Sequence, residues 1–319
     1  MNTQELLRVE GLKKYFHLKG GHVLKAVDDV SFTLRRGETL GLVGESGCGK
    51  TTVGRTLLKI YEPTDGRIFF EDEDVTKTNR KKQLELCRKM QMIFQDPYAS
   101  LNPFMTVGEI ISEGLDIHKI GADRKERTEI MYGLLKQVGL HQSHANRFPH
   151  EFSGGQRQRV GIARALAVNP EFIVCDEAIS ALDVSVQAQI VNLLLDLREQ
   201  RDLSYLFISH DLSVVRYISH RVAVMYLGRI VEFGGAEEVY AHPAHPYTVG
   251  LMNAVPVTDP DVEKAKAYTR LKGEVSSPID TKPGCMFANR CPYATDRCRQ
   301  ETPALKKVAH DHFAACHIL

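Results

Sequence analysis

At 319 residues, with 43% hydrophobic and 25% charged side chains, the chain has a soluble globular composition and room for one large domain with an appendage, or for two. A formal net charge of +1 excludes nucleic acid as a bulk electrostatic partner. Met1-Asn2-Thr3-Gln4-Glu5 carries no basic-then-apolar leader, and no apolar run is long enough to span a bilayer. The expectation is therefore a cytosolic chain that reaches any membrane through a partner.

Two strands open the chain, Leu6 to Phe16 and Val23 to Leu34, joined by Lys19-Gly20-Gly21-His22. Thr39-Leu40-Gly41-Leu42-Val43 follows as a short buried strand. It runs into Gly44-Glu45-Ser46-Gly47-Cys48-Gly49-Lys50-Thr51, which fits the phosphate-loop pattern G-x-x-x-x-G-K-[ST]. A helix over Thr52 to Ile60 completes the strand, loop and helix that the pattern requires. A chance match in such a chain has odds of roughly one in a hundred. The glycines let backbone N–H groups curl around an anion at a helix N-terminus. Lys50 can reach β- and γ-phosphates, and the Thr51 hydroxyl can hold Mg²⁺.

Glu62 to Gly66 reads as a turn, and the charged residues 71–90 as a surface excursion. Met90 to Phe94 reads as a strand broken by Gln95-Asp96-Pro97. From Val107 to about Leu140 the apolar spacing becomes helical, with Ile130, Leu134 and Val138 four residues apart. Ser153-Gly154-Gly155-Gln156 is a second glycine turn opening a helix, hence a second potential phosphate site. Phe172-Ile173-Val174-Cys175 is an apolar strand ending in Asp176-Glu177. Alone, Asp176-Glu177 would more readily cap a strand and begin a turn; with the glycine loop upstream, Asp176 is read as binding Mg²⁺ or its water and Glu177 as deprotonating an attacking water. A helix with Val186, Ile190, Leu193, Leu194 and Leu197 on one face follows. Tyr205 to Ile208 is a strand ending at Ser209-His210, where an imidazole can sense a γ-phosphate. Gln95 ends its strand on the same rim and can accept from Mg²⁺-bound water. Gly228-Arg229 marks a hairpin between Arg221 to Leu227 and Ile230 to Phe233. Repeated strand–helix alternation implies a largely parallel sheet covered on both faces.

After Gly234-Gly235 the composition changes. His242-Pro243-Ala244-His245-Pro246-Tyr247 and the proline-punctuated stretch from Pro256 to Pro283 point to a separate C-terminal region. Cys285, Cys291, Cys298 and Cys316 cluster there. Four thiolates suit either Zn²⁺ or an iron–sulfur cluster, and the spacing does not choose. The expected role is a metal staple for a tail too short to build its own core.

Taken together, these residues resemble the ATP-binding-cassette (ABC) ATPases over residues 5–235. Gly44–Thr51, with Thr52, looks like the Walker A loop, and Phe172–Asp176 like Walker B with Glu177 as catalytic glutamate. Ser153-Gly154-Gly155-Gln156-Arg157 is similar to the family signature. Gln95 resembles the Q-loop residue, Ser180-Ala181-Leu182-Asp183 the D-loop, and His210 the switch histidine. Tyr15 stands where the family stacks an aromatic ring on adenine, with Phe16 the neighbouring candidate.

The resemblance implies an α/β P-loop NTPase with an antiparallel β subdomain, a RecA-like parallel sheet core and a helical subdomain at about 100–165. On this view residues 1–235 form the ATPase domain and 236–319 a Cys-rich C-terminal extension. It implies ATP and Mg²⁺ as cofactors and Glu177 and His210 as catalytic residues. The nucleotide would lie on Tyr15, the phosphate loop, Gln95 and Asp176, with Thr51, Gln95 and Asp176 around Mg²⁺. In a head-to-tail dimer, Ser153–Gln156 and Asp183 would serve the partner's ATP.

Phe94–Pro103, His242–Thr248 and Gly284–Pro292 are similar to the oligopeptide and dipeptide importer ATPases. Ala178-Ile179 departs from their usual Pro-Val, which removes no chemical group. That similarity implies a second, homologous ATPase chain (a heterodimer), two transmembrane permease subunits, an extracytoplasmic peptide-binding protein, and the cytoplasmic face of a bacterial inner membrane. It also favours a [4Fe–4S] cluster over Zn²⁺ on the four cysteines. Nickel or another solute remains open as cargo. A soluble cassette ATPase acting on nucleic acid predicts tandem cassettes or basic arms, and this chain has neither. A metal-sensing protein using the cysteine tail predicts hydrolysis tied to cluster redox cycling.

Overall fold

The computed structural model describes residues 4–254 and 276–319. The chain divides into two compact units: Arg36–Glu38 with Thr78–Ile208, and Gln4–Arg35 with Thr39–Lys77 and Ser209–Leu319. The expected C-terminal extension thus lies in the same unit as the phosphate loop.

In that unit, β1 (Glu5–His17) and β2 (Val23–Arg35) pair antiparallel from Glu5↔Arg35 to His17↔Val23. In β2 the buried Val30, Phe32 and Leu34 follow the period-two pattern of a half-buried sheet, whereas in β1 a register shift between Val9 and Leu12 breaks it. β4 (Asp65–Phe70) and β5 (Glu73–Asp74) extend it in the order β2-β1-β4-β5. β4 begins inside the expected turn and runs through residues 67–70, for which no element was expected, and β5 falls in the expected surface excursion. Two of the six residues of β4, Ile68 and Phe70, are buried, too short a signal to read as a strand. β3 (Thr39–Val43) is buried throughout and feeds the phosphate loop and α1 (Lys50–Leu57). It runs parallel to β9 (Arg221–Tyr226), which turns back into β10 (Arg229–Gly235). The turn is Leu227-Gly228, both at positive φ, one residue earlier than expected. α7 (Leu212–Ile218) precedes β9, and α8 (Ala236–Ala241) and α9 (Pro246–Asn253) follow β10. Within the tail, β11 (Lys306–Ala309) and β12 (His312–Ala314) form a hairpin, and β12 adds to β10 at Phe233↔Phe313.

In the other unit, β6 (Met90–Ile93), β7 (Phe172–Asp176) and β8 (Ser204–Ile208) are parallel, with Ile93↔Cys175 and Asp176↔Ile208 in register. β7 and β8 are buried along their whole length, which is why they read as unbroken apolar runs. Around them lie α3 (Val107–Ile117), α4 (Arg124–Gln137), α5 (Gly154–Leu166) and α6 (Val184–Arg201). Part of the charged stretch 71–90 is also helix: α2 (Arg80–Lys89), capped by Asn79, whose Oδ1 accepts from the Lys82 N–H at 2.9 Å. Leu86 is its one buried residue, so the apolar periodicity is too weak to see in sequence.

Candidate functional site

The predicted residues fall in both units, and each half is built locally. In the phosphate loop, Gly44 has φ +151° and Gly49 φ +107°. A Cβ on Gly44 would lie 2.1 Å from the Met225 carbonyl, and one on Gly49 2.0 Å from that of Ala26, so only glycine fits at either. Lys50 is 5% exposed. Its ammonium donates to the carbonyls of Gly44 (2.7 Å) and Glu45 (3.0 Å) and lies 3.8 Å from Cys48 Sγ. Burial pushes the Cys48 thiol up, so it stays neutral beside that cation. Thr51 and Thr52 begin α1, while Ser46 and Gly47 are exposed at the loop's crest. Glycine-turned backbone, a buried ammonium and a helix N-terminus together fit an anionic phosphate.

Tyr15 lies on β1. Its hydroxyl donates to Asp28, which also accepts two bonds from Arg229 at 3.0 and 2.7 Å. Burial opposes ionisation of Asp28, but Tyr15 and Arg229 outweigh it and hold the carboxyl below its usual range. Lys25 Nζ stands 5.8 Å from the centre of the Tyr15 ring. Phe16, the alternative, packs edge-on against Tyr61 at 5.5 Å. His210 is exposed between fixed neighbours: Ser209 is buried, and Asp211 caps α7 by accepting from the Ser213 and Val214 N–H groups.

In the other unit, parallel pairing of β6 with β7 brings Gln95 beside Glu177. Gln95 Nε2 donates to Glu177 Oε2 at 2.7 Å. Asp176, at the end of β7, is 1% exposed. Glu177 has φ +46°, a left-handed backbone fixed by its N–H to the Ile208 carbonyl (2.9 Å) and by the Ser180 N–H and hydroxyl on its own carbonyl. Strain of this kind costs about 1–3 kcal/mol and persists only where the surroundings enforce it.

Ser153 is exposed and caps α5 in a reciprocal box with Gln156: its Oγ accepts from the Gln156 N–H at 3.4 Å, and Gln156 Oε1 accepts from the Ser153 N–H at 3.1 Å. Gly154 and Gly155 form the first turn, and a Cβ on Gly155 would strike Val186 Cγ1 at 2.4 Å. Asp183 is exposed at the N-terminus of α6, and Gln187 braces the turn before it on the Ile179 and Leu182 carbonyls.

The metal staple expected in the tail finds no support among the described residues. Cys285, Cys291, Cys298 and Cys316 are free thiols. Among the described residues no three His, Cys, Asp or Glu side chains converge to hold an ion. Burial, and the nearby sulfurs of Cys298, Cys316 and Cys291, push the Cys285 thiol up to about 11. The tail is attached through other contacts. Phe287 is 1% exposed and packs on Tyr226, Tyr247 and His245. His312 on β12 meets the buried Glu232 carboxylate at 2.7 Å.

Sequence reasoning missed two residues that touch the phosphate loop. Tyr247 accepts a hydrogen bond from the Glu45 N–H at 2.8 Å. Arg290 forks onto the Glu45 carboxylate at 2.7 and 3.0 Å. Their surroundings, His242–Thr248 and Gly284–Pro292, stood out only as resemblance, with no role attached.

Two family models match the chain: "ABC transporter" over residues 27–180, and "Oligopeptide/dipeptide transporter, C-terminal region" over residues 231–298. The oligopeptide transport ATP-binding protein AppF of Bacillus subtilis is 51% identical over 324 residues, 99% of this chain and 98% of that protein. OppF of the same organism is 57% identical over 291 residues, 88% of this chain and 95% of its own. Among solved structures, the dimeric post-hydrolysis ATP-binding cassette MJ0796, bound to ADP and Pi, superposes with a TM-score of 0.66 at 27% identity, covering 72% of this chain and 99% of that one. The chain belongs to the ATP-binding subunits of ABC transporters, on the branch of the oligopeptide transport ATP-binding proteins.

Proposed function

We propose that this chain is the ATP-hydrolysing subunit of an importer for dipeptides or oligopeptides. The observation that carries the hydrolytic reading is the Gln95–Glu177 bond of 2.7 Å, which aims a carboxylate beside the buried Asp176. Glu177 acts as general base toward water, and Gln95 keeps its amide oxygen for a Mg²⁺-bound water. Lys50 and the loop N–H groups bind phosphates, Thr51 and Asp176 hold Mg²⁺, Tyr15 faces the adenine, and His210 reports on the γ-phosphate. Mg²⁺ supplies charge neutralisation at the phosphates.

Ser153–Gln156 and Asp183 serve a nucleotide bound by a second, homologous ATPase chain in a head-to-tail pair. Exposure of Ser153 and Asp183 supports this reading, as does the dimeric state of the MJ0796 cassette. Residues 1–235 make up the ATPase domain and 236–319 an extension. Among the described residues no helix is long and apolar enough to cross a membrane. In this reading translocation runs through two permease subunits, with this chain at the cytoplasmic face of the inner membrane and a binding protein delivering peptide outside. The peptide assignment is carried by similarity along nearly the whole chain to proteins named for oligopeptide transport.

The test is uptake of a labelled oligopeptide into vesicles carrying the chain with its co-expressed second ATPase chain and permeases, supplied with the peptide-binding protein. Uptake is expected to require ATP and to vanish with Glu177→Gln. Uptake indifferent to that substitution, or ATP turnover without any peptide movement, overturns the reading.

A further inference from the structure

We propose that the C-terminal region sets the nucleotide affinity of the phosphate loop, with Arg290 as a positioning residue acting through Glu45. This goes beyond the ATPase reading, on which it rests. Glu45 is the second residue of the loop and is gripped at three places. Its carbonyl accepts from Lys50 at 3.0 Å. Its N–H donates to Tyr247 at 2.8 Å, and its carboxylate takes the Arg290 fork at 2.7 and 3.0 Å. Two of these three grips come from beyond residue 235.

The grip is a packed one. Arg290 is 8% exposed. Its guanidinium lies 5.9 Å from the ring centres of both Tyr226 and Phe287, and Nη1 is 3.4 Å from the Tyr226 hydroxyl. Its Nε is buried with no hydrogen-bond partner among the described residues, so its paired bonds run to Glu45. Phe287 joins Tyr226 and Tyr247 in the same aromatic cluster. Docking of the tail and bracing of the loop are thus one packing event.

Charge gives the arrangement its consequence. A carboxylate on a loop that binds a polyanion repels its ligand. The bidentate arginine cancels that charge and fixes the carboxylate plane, which a point charge does not do. Removing Arg290 releases residue 45 and leaves its negative charge beside the phosphates. By reciprocity, nucleotide binding must tighten the tail by the same factor.

The test uses the full chain and a fluorescent ATP analogue with Mg²⁺. Arg290→Ala is expected to weaken binding about tenfold, more at low ionic strength. Arg290→Lys should recover part of the loss, and the neutral pair Glu45→Gln/Arg290→Met most of it. A purely structural role would lower the melting temperature of every variant without rescue by the neutral pair. Affinity unchanged in a folded Arg290→Ala protein, or no rescue in the pair, overturns the proposal. If wild type itself binds no ATP, the ATPase reading fails instead. Hydrogen exchange of residues 284–298 supplies the arm that needs no variant. Slower exchange on adding MgATP supports the coupling, and an unchanged rate refutes it.

Discussion

His245 is the place where pH should act on this fold. It caps α9 through Nδ1, which accepts from the Tyr247 N–H at 3.1 Å, and is 1% exposed against Phe287. The Glu232 carboxylate lies close by, but it accepts from the His245 backbone N–H, not from the ring. Burial lowers the imidazole from 6.5 to about 4. The unfolded state therefore binds a proton below pH 6.5 that the folded state refuses until about pH 4. Stability is fully present above 6.5 and is lost as pH falls toward 4. Two proton-binding curves with those midpoints give a loss of about 2 kcal/mol by pH 5 and about 3 kcal/mol in all, at about 1.4 kcal/mol per pH unit. His245→Asn keeps an acceptor at the cap and removes the titration. It forfeits the ring contact with Phe287 equally at every pH. Hydrogen exchange of Pro246–Asn253, corrected for intrinsic rates, measures the opening free energy. At pH 7.5 the variant should be the less stable, and its deficit should shrink by about 2 kcal/mol on going to pH 5. A deficit that does not change with pH, or a native ring that titrates near 6.5 by NMR, refutes the reasoning.

Glu177→Gln should leave MgATP affinity near wild type and cut turnover about 10²- to 10⁴-fold, the range of a lost general base; near-normal phosphate release would contradict that role. Lys50→Ala removes the ammonium that two loop carbonyls share, so nucleotide binding should weaken at least about tenfold, read by equilibrium titration. Gly49→Ala drives a Cβ to 2.0 Å from the Ala26 carbonyl, whereas Gly47→Ala meets nothing within 4 Å and carries only its positive φ. Melting should show the first variant grossly destabilised and the second by about 1 kcal/mol; equal effects would remove the close approach as the reason for glycine.

What was legible in the sequence follows from how local its cause is. β3, β7 and β8 are continuous apolar runs because both faces are covered, and the phosphate loop is a contiguous motif. α2 was illegible because one leucine in ten residues is buried. Gln95 and Glu177 could be nominated singly at strand ends. Their bond depends on the parallel register of β6 and β7, which sequence does not print. The tail looked too small for a core because the core it uses, around Phe287, is borrowed from β9 and α9.

The same borrowing explains why the loop's outer supports were missed. Tyr247 and Arg290 are 202 and 245 residues from Glu45, and neither carries a motif of its own. Loop-closure entropy does not favour such contacts; they persist because Phe287, Tyr226 and Tyr247 bury apolar surface together. A phosphate loop needs backbone N–H groups held in an unusual curl before any phosphate arrives, and glycine permits that curl without enforcing it. Enforcement must come from atoms outside the loop. Here it comes from a tyrosine that takes one N–H and an arginine that takes one carboxylate, both from the region this branch carries beyond residue 235.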